Sequence, residues 1–305
     1  MELTHKALLA ALTDISGIGD ARAYKLYKHY DDPFDLLSAP ASLIDEYHYV
    51  DETTLTEIRL LDDDVEDYLD QFETYDANGI TIIGITEDQY PEVVRTGPAP
   101  VLLYAKGNVE LLTEDAVGVS GSRETDETGK QWIESLSVEL AQGGYTLVSG
   151  GARGADTAAH RGALDTDGST IAVLGTGVNV AYPPENKILF KQIINTNGLL
   201  ISLRPPDAEP NRHAFVNRNK IISALSDGIV FVATDGNGGT MAQYKIALKQ
   251  GRPIFVPPPE LNIIPNDGLT TIREADATKS VSTASDVIDA ISKGVSEQKN
   301  LGEWT

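Results

Sequence analysis

The sequence predicts an α/β fold, a parallel sheet with helices on both faces, preceded by a small all-helical domain. Three observations carry this reading. Between Val117 and Pro257, short apolar runs alternate with helix-length stretches. The runs end repeatedly in glycine-rich turns: Val119-Ser-Gly-Ser-Arg123, Val148-Ser-Gly-Gly-Ala-Arg-Gly-Ala-Asp156, Leu174-Gly-Thr-Gly177 and Gly236-Asn-Gly-Gly-Thr240. Before Ile80 the chain reads as helices around a glycine turn.

The N-terminal helices are expected over Lys6–Leu12 and Ala21–Tyr30. Ile15-Ser-Gly-Ile-Gly-Asp20 between them has the pattern of a helix-hairpin-helix turn. Such a turn can present amides to a phosphate. It also reads as an ordinary αα-turn with Gly17 as helix cap. Pro33 and Pro40 punctuate the next helices, and an acidic helix over Asp62–Asn78 closes the domain at Gly79. Ile80–Ile85 and Val101–Ala105 are β-branched, apolar strands, with turns at Tyr90-Pro-Glu92 and Gly97-Pro-Ala-Pro100 between them.

The alternating series follows. Strands are expected at Ala116–Ser120, Thr146–Ser149, Thr170–Leu174, Leu199–Leu203, Gly228–Ala233 and Pro253–Val256. The intervening helices are Glu127–Gln142, Ala155–Leu164, Glu185–Asn195, Ala214–Leu225 and Thr240–Lys249, with a last one at Ala284–Ser292. This spacing implies right-handed βαβ units and a sheet buried on both sides. The expected domains are residues 1–78 (helix-hairpin-helix, SAM-like), 79–270 (the α/β core) and 271–305 (a short helix and tail). Several turns on one sheet edge would pool free backbone amides into a phosphate-friendly surface.

Composition narrows the chemistry. The 305 residues include no cysteine, which excludes disulfides, zinc–thiolate sites and thiol nucleophiles. No apolar run approaches membrane-spanning length and the N-terminus has no signal pattern, so a soluble cytoplasmic protein is expected. The net charge of −22 argues against nucleic acid as a partner until its distribution is read. Residues 1–84 hold 19 acidic and 5 basic side chains, while residues 117–256 hold 13 of each. The neutral segment is the one with the glycine turns. Asp62-Asp63-Asp64 and the scarcity of lysine point to a halophile's proteome-wide salt adaptation.

These motifs resemble, in order, those of the DprA/Smf DNA-processing family. They are Asp88-Gln-Tyr-Pro-Glu92, Pro100–Asn108, Gly121-Ser-Arg123 and Ser149-Gly-Gly-Ala-Arg-Gly-Ala-Asp-Thr-Ala-Ala-His160. Then come Thr170–Gly177 with Tyr182-Pro183 and Asn186, Phe215, Arg218-Asn-Lys220 with the helix that follows, and Gly251-Arg252. The resemblance spans about Thr81 to Pro258. It implies an extended Rossmann-like fold that binds single-stranded DNA without base specificity. It further implies a homodimer that protects that DNA and loads a RecA-type recombinase, with no cofactor, metal or catalytic residue. The implied pocket uses Gly121, Ser122, Arg123, Ser149, Gly150, Arg153, Gly154, Asp156, His160, Arg218, Asn219 and Lys220, with Gly175, Gly177, Tyr182 and Asn186 in the adjoining motif. Ala233-Thr234, Ser202-Leu203 and Pro257-Pro-Pro259 depart from the family pattern, and a short helix and tail are expected in place of a C-terminal winged helix.

Taken one by one, the residues support a phosphate site. Arg123 sits just past a strand end, where its fork can pair two phosphate oxygens; ion pairs to Glu124 or Glu127 are the alternative. Arg153 lies among small neighbours that leave it exposed. Ser122 and Ser149 can donate hydroxyls or cap turns. Asp156 reads as a helix cap or loop brace, and His160, one helical turn on, as a packing or phosphate-side residue. Arg218-Asn-Lys220 reads as a helix start, where bases oppose the macrodipole and so point to a role other than stability. Tyr182 and Phe215 can stack on bases, with a core role open to both and favoured for Phe215.

The competing class is an enzyme. Nucleotide phosphoribohydrolases share the strand pattern and use a Gly-Gly-x-Gly-Thr-x-x-Glu loop. Here Gln243 stands at the glutamate position, and an amide can act neither as general base nor as counter-charge to a ribosyl cation. Gly175-Thr-Gly177 lacks the third glycine of a dinucleotide fingerprint, and no Walker loop or His-Glu-x-x-His occurs.

Overall fold

The computed structural model describes residues 1–95, 99–276 and 278–302. It divides into two compact units, Met1–Ala105 and Lys106–Thr305. The turn expected at Gly97-Pro98 lies outside the described residues.

The first unit holds α1 (Leu3–Asp14), α2 (Asp20–Tyr27), α3 (Leu43–Glu46), α4 (Glu52–Arg59), α5 (Asp62–Ala77), β1 (Thr81–Gly84), α6 (Glu92–Arg95) and the start of β2 (Leu102–Gly107). Its core forms around α1, which is buried continuously from Lys6 to Leu12 and packs on α5. The Lys6 amine survives burial because Nζ donates to the Ile82 carbonyl at 2.6 Å and pairs with Glu87 at 2.9 Å. Gly17, at φ +83°, turns the chain between α1 and α2, and the Ile18 amide donates back to the Ile15 carbonyl. Asp20 opens α2, and its carboxylate accepts the Val101 amide at 2.8 Å. An acid therefore stands at the helix end where the hairpin pattern would seat a phosphate. Asp62, Asp63 and Asp64 form the first turn of α5, where the helix dipole favours negative charge. β1 and β2 pair antiparallel, Thr81 opposite Ala105.

The second unit is a doubly wound α/β layer structure. Its further elements are β3 (Ala116–Ser120), α7 (Glu127–Gln142), β4 (Thr146–Ser149), α8 (Ala155–Leu164), β5 (Thr170–Leu174), α9 (Lys187–Asn195) and β6 (Leu199–Ser202). α10 (Arg212–Leu225), β7 (Gly228–Phe231), α11 (Gly238–Lys249), β8 (Ile254–Val256), α12 (Asp267–Arg273), β9 (Thr278–Ser280) and α13 (Ala284–Gly302) follow. The strands run β6-β5-β4-β3-β7-β8-β9, all parallel. Central strands are buried along their length, so they read in sequence as unbroken apolar runs. One core includes Val117, Val119, Leu147, Ile133, Leu136 and Val287, contributed by strands and by α7 and α13. Another includes Phe231, Ile254, Tyr244 and Ile272, contributed by β7, β8, α11 and α12.

Several details differ from the sequence expectation, beyond shifts of one to a few residues at strand and helix ends and a last helix that runs to Gly302. Pro184–Asn186 forms a 3₁₀ turn ahead of α9. α10 begins at Arg212, capped by the Asn211 carboxamide on the His213 amide at 2.9 Å, two residues before the expected start. α12 and β9 were not expected; Thr278-Lys-Ser280 is a polar edge strand with no apolar alternation to announce it. No helix of the described residues is long and apolar enough to cross a membrane.

Candidate nucleic-acid interface

Strand order reverses in the sheet between β3 and β7, where doubly wound folds open a ligand crevice at the carboxyl strand ends. Here the β3–β7 pairing continues past the strand ends. The Ser122 amide donates to the Ala233 carbonyl at 2.8 Å. The Ser122 carbonyl accepts the Thr125 hydroxyl at 2.6 Å, and its Oγ accepts the Glu124 amide at 3.0 Å. Ser122 is thus a turn cap. Gly121 lies against Ala155, with no room for a Cβ. Arg123 is exposed, and among the described residues it has no ion pair with Glu124 or Glu127.

The loop after β4 is braced from behind. Ser149 is buried and donates to the Val119 carbonyl at 2.8 Å, tying β4 to β3. Gly154 caps α8 at φ +75°, and a Cβ there would strike the Ser122 and Arg123 backbone. Asp156 accepts the Ala152 amide at 3.1 Å. Asn186 reaches across from the 3₁₀ turn, donating to the Gly151 carbonyl at 3.0 Å and the Thr157 hydroxyl at 2.8 Å. Thr157 in turn donates to the Ala152 carbonyl at 2.8 Å. Asp156 and Asn186 are therefore supports with little surface of their own. Arg153 points outward, 3.5 Å from Glu185.

Arg218-Asn-Lys220 sits inside α10, as the expected Ala214–Leu225 bounds already placed it, and not at a helix start. The macrodipole argument for these bases accordingly falls away. The three side chains also diverge. Arg218, 8 % exposed, lies against Gly150, where a Cβ would coincide with its guanidinium. Its Nη2 is 4.0 Å from Asp156, and its Nε has no hydrogen-bond partner. Asn219 turns away, its amide 3.5 Å from the Gly239 carbonyl. Lys220 is exposed and bonds Asn217 at 3.2 Å.

Arg123, Arg153 and Arg218 line one pocket together with Gly150, Ala152, Tyr182, Pro183 and Phe215. Tyr182, 37 % exposed, packs on Phe215 with ring centroids 5.5 Å apart at 48°. The core role favoured for Phe215 is corrected: its ring is only partly buried and covers Gly175, which has no room for a Cβ. Gly177 is covered as well, by the Pro205–Pro206 backbone, and its amide donates to the Ala208 carbonyl at 2.8 Å. The Ser122, Ala152 and Gly177 amides are all engaged internally. Three of the loop amides are thus committed to the fold, and guanidiniums and rings line the pocket beside the Gly150–Ala152 loop.

His160 stands apart from the pocket. It is fully buried, with Nδ1 2.7 Å from the Thr170 hydroxyl. That hydroxyl donates to the Leu147 carbonyl at 2.8 Å, which assigns the imidazole proton to Nδ1. Burial, and then the Arg218 charge, lower its pKa to about 3, so it is neutral at physiological pH. It packs the back of the site and cannot touch a ligand at the surface. Burial pushes Asp156 up and Arg218 down, each opposed by the other's charge. The guanidinium nonetheless remains protonated.

Gln243 is buried, donating to the Asn219 carbonyl at 3.0 Å and the Ser223 hydroxyl at 2.9 Å. It ties α11 to α10. Among the described residues no cluster of His, Asp and Glu could hold a metal ion.

Comparison with known proteins bears on the family and the fold. The family model described as DNA recombination-mediator protein A matches residues 81–292. DNA processing protein DprA of Streptococcus pneumoniae is 31 % identical over 250 residues, covering 82 % of this chain and 81 % of that protein. Protein Smf of Escherichia coli is 36 % identical over 168 residues, 55 % of this chain and 45 % of that protein. The X-ray structure of the pneumococcal protein superposes with a TM-score of 0.64 at 29 % identity, covering 88 % of this chain and 96 % of that one. The Helicobacter pylori DNA processing protein A, whose structure is described as giving insight into a single-stranded DNA binding mode, superposes at 0.61 with 28 % identity, covering 70 % and 96 %. Ordered motifs, doubly wound sheet and matched length agree: this chain belongs to the DNA recombination-mediator protein A family.

Proposed function

We propose that this chain binds single-stranded DNA across the Arg123–Arg153–Arg218 pocket, without base specificity. The observation that carries the proposal is the convergence of three guanidiniums from three separate elements beside an exposed aromatic pair. This occurs in the one charge-neutral stretch of a chain of net charge −22. Guanidiniums pair phosphate oxygens, and ring faces stack on bases of any identity. The single-stranded DNA named for the Helicobacter relative supports the same reading. We extend the proposal to the broader role that the family resemblance implies: protection of single strands and delivery of a RecA-type recombinase, by a cytoplasmic homodimer, in recombination or natural transformation. We also read the acidic first unit as adaptation to a high-salt cytoplasm; a fully folded protein in dilute buffer, judged by circular dichroism, would overturn that part.

Fluorescence anisotropy with single- and double-stranded oligonucleotides, wild type against Arg123→Ala, tests the central claim. Preference for single strands and weaker binding by the variant are expected. Equal binding of both DNA forms by both proteins refutes it. A parallel assay for base release from nucleoside monophosphates separates a binder from a phosphoribohydrolase. No release is expected, since Gln243 is committed to the α10–α11 contact.

A further inference from the structure

We propose that Asp156 is a positioning residue for DNA binding: its carboxylate holds the Arg218 guanidinium against Gly150, in the orientation that receives phosphate. This rests on the single-stranded DNA reading above. Asp156 is 5 % exposed, so it lies behind the binding surface. One carboxylate oxygen, Oδ2, serves two parts of the site. It accepts the Ala152 amide at 3.1 Å and stands 4.0 Å from Arg218 Nη2. The loop that carries Arg153 and the helix that carries Arg218 are thereby tied to one group. Arg218 has the complementary features. It is a buried cation, its only ion pair among the described residues is this long one, and its Nε is unpartnered. A buried charge so lightly compensated leaves donors for a second anion. Gly150 supplies the space that the guanidinium occupies.

Simple charge reasoning and positioning predict opposite signs. Removing a carboxylate from a polyanion site should tighten binding by removing repulsion. If Asp156 positions Arg218, its removal loosens binding. The experiment uses the full-length chain and a labelled oligothymidylate. Asp156→Asn is expected to lose about tenfold in affinity, comparable to one charge-assisted hydrogen bond. The slope of log affinity against log salt should fall by about 0.7 as one phosphate contact is lost, although Asp156 touches no phosphate. In an Arg218→Met background the same change should have no effect, because the two act as a unit. Asp156→Ser, which keeps an acceptor for Ala152 but no charge, should behave like Asp156→Asn.

Thermal melts exclude unfolding, and should Asp156→Asn fail to fold, the serine variant carries the test. Should both fail, wild type against Arg218→Lys decides: a cation without the held fork should lose as much as Arg218→Met. Wild-type affinity in Asp156→Asn, or the same loss with and without Arg218, overturns the inference. Absence of DNA binding by the wild type overturns the functional reading instead.

Discussion

Gly150→Ala isolates the contribution of the buried guanidinium with the smallest change available. Gly150 has no positive φ, so alanine meets no backbone strain there. Its methyl carbon would occupy the position of the Arg218 guanidinium, so that group has to move. Displacement costs stability through overpacking, about 1–3 kcal/mol. For a folding unit of this size that lowers Tm by about 2–4 °C per kcal/mol, which leaves a folded protein to assay. The binding cost is larger in relative terms. A hydrogen bond to a charged group is worth about 1.5–3 kcal/mol, so affinity for single-stranded DNA should fall about 10- to 150-fold. Anisotropy titration with oligothymidylate measures this, with differential scanning fluorimetry reporting the fold. Gly239→Ala is the control, because nothing lies within 4 Å of its Cβ position. Wild-type affinity in a folded Gly150→Ala protein would show that the Arg218 position is irrelevant to the ligand.

Three further outcomes are expected. In molar KCl, where the Debye length is about 3 Å, Arg218→Met should weaken binding more than Arg123→Ala, because the exposed charge is screened and the buried one is not; titrations across salt check the order. Tyr182→Ala should lose about 1–3 kcal/mol of affinity at any salt concentration, read by the same titrations, since stacking carries no counterion term. The His160 pKa is near 3 folded and near the ordinary 6.5 unfolded, so the unfolded chain binds more protons between those values. This residue's contribution therefore supports the fold above about pH 6.5 and is lost as pH falls towards 3. Asp156, pushed up by burial, acts with the opposite sign. Urea melts across that range should show a shallower rise of stability with pH in His160→Gln than in wild type, and identical slopes would refute the assignment.

The parallel core was readable because strands buried on both faces must be apolar throughout, and the β3, β4 and β5 boundaries emerged as expected. β9 was unreadable because a polar edge strand follows no such rule. At the site, Arg123 and Arg153 declared themselves by standing in turns. Arg218 was already inside the expected helix, but its burial against Gly150, 68 residues away in the chain, had no local signal. The bracing by Asn186 had no local signal at all, since its partner Gly151 lies 35 residues away in the chain. Phe215 looked like core because an aromatic ring within an apolar stretch gives no sign of which face it presents.

The hydrogen bond that closes the reversal point between β3 and β7 bears on kinetics. With the Ser122 amide and Ala233 carbonyl bonded to each other, the backbone on the two sides of the reversal point is held together without a ligand. Under the proposed function, capture draws on outward side chains such as Arg153, which is free to swing away from Glu185. Such rotamer changes take picoseconds to nanoseconds, far faster than domain closure. Under the proposed function, release of a DNA strand is then set by its phosphate contacts with these side chains.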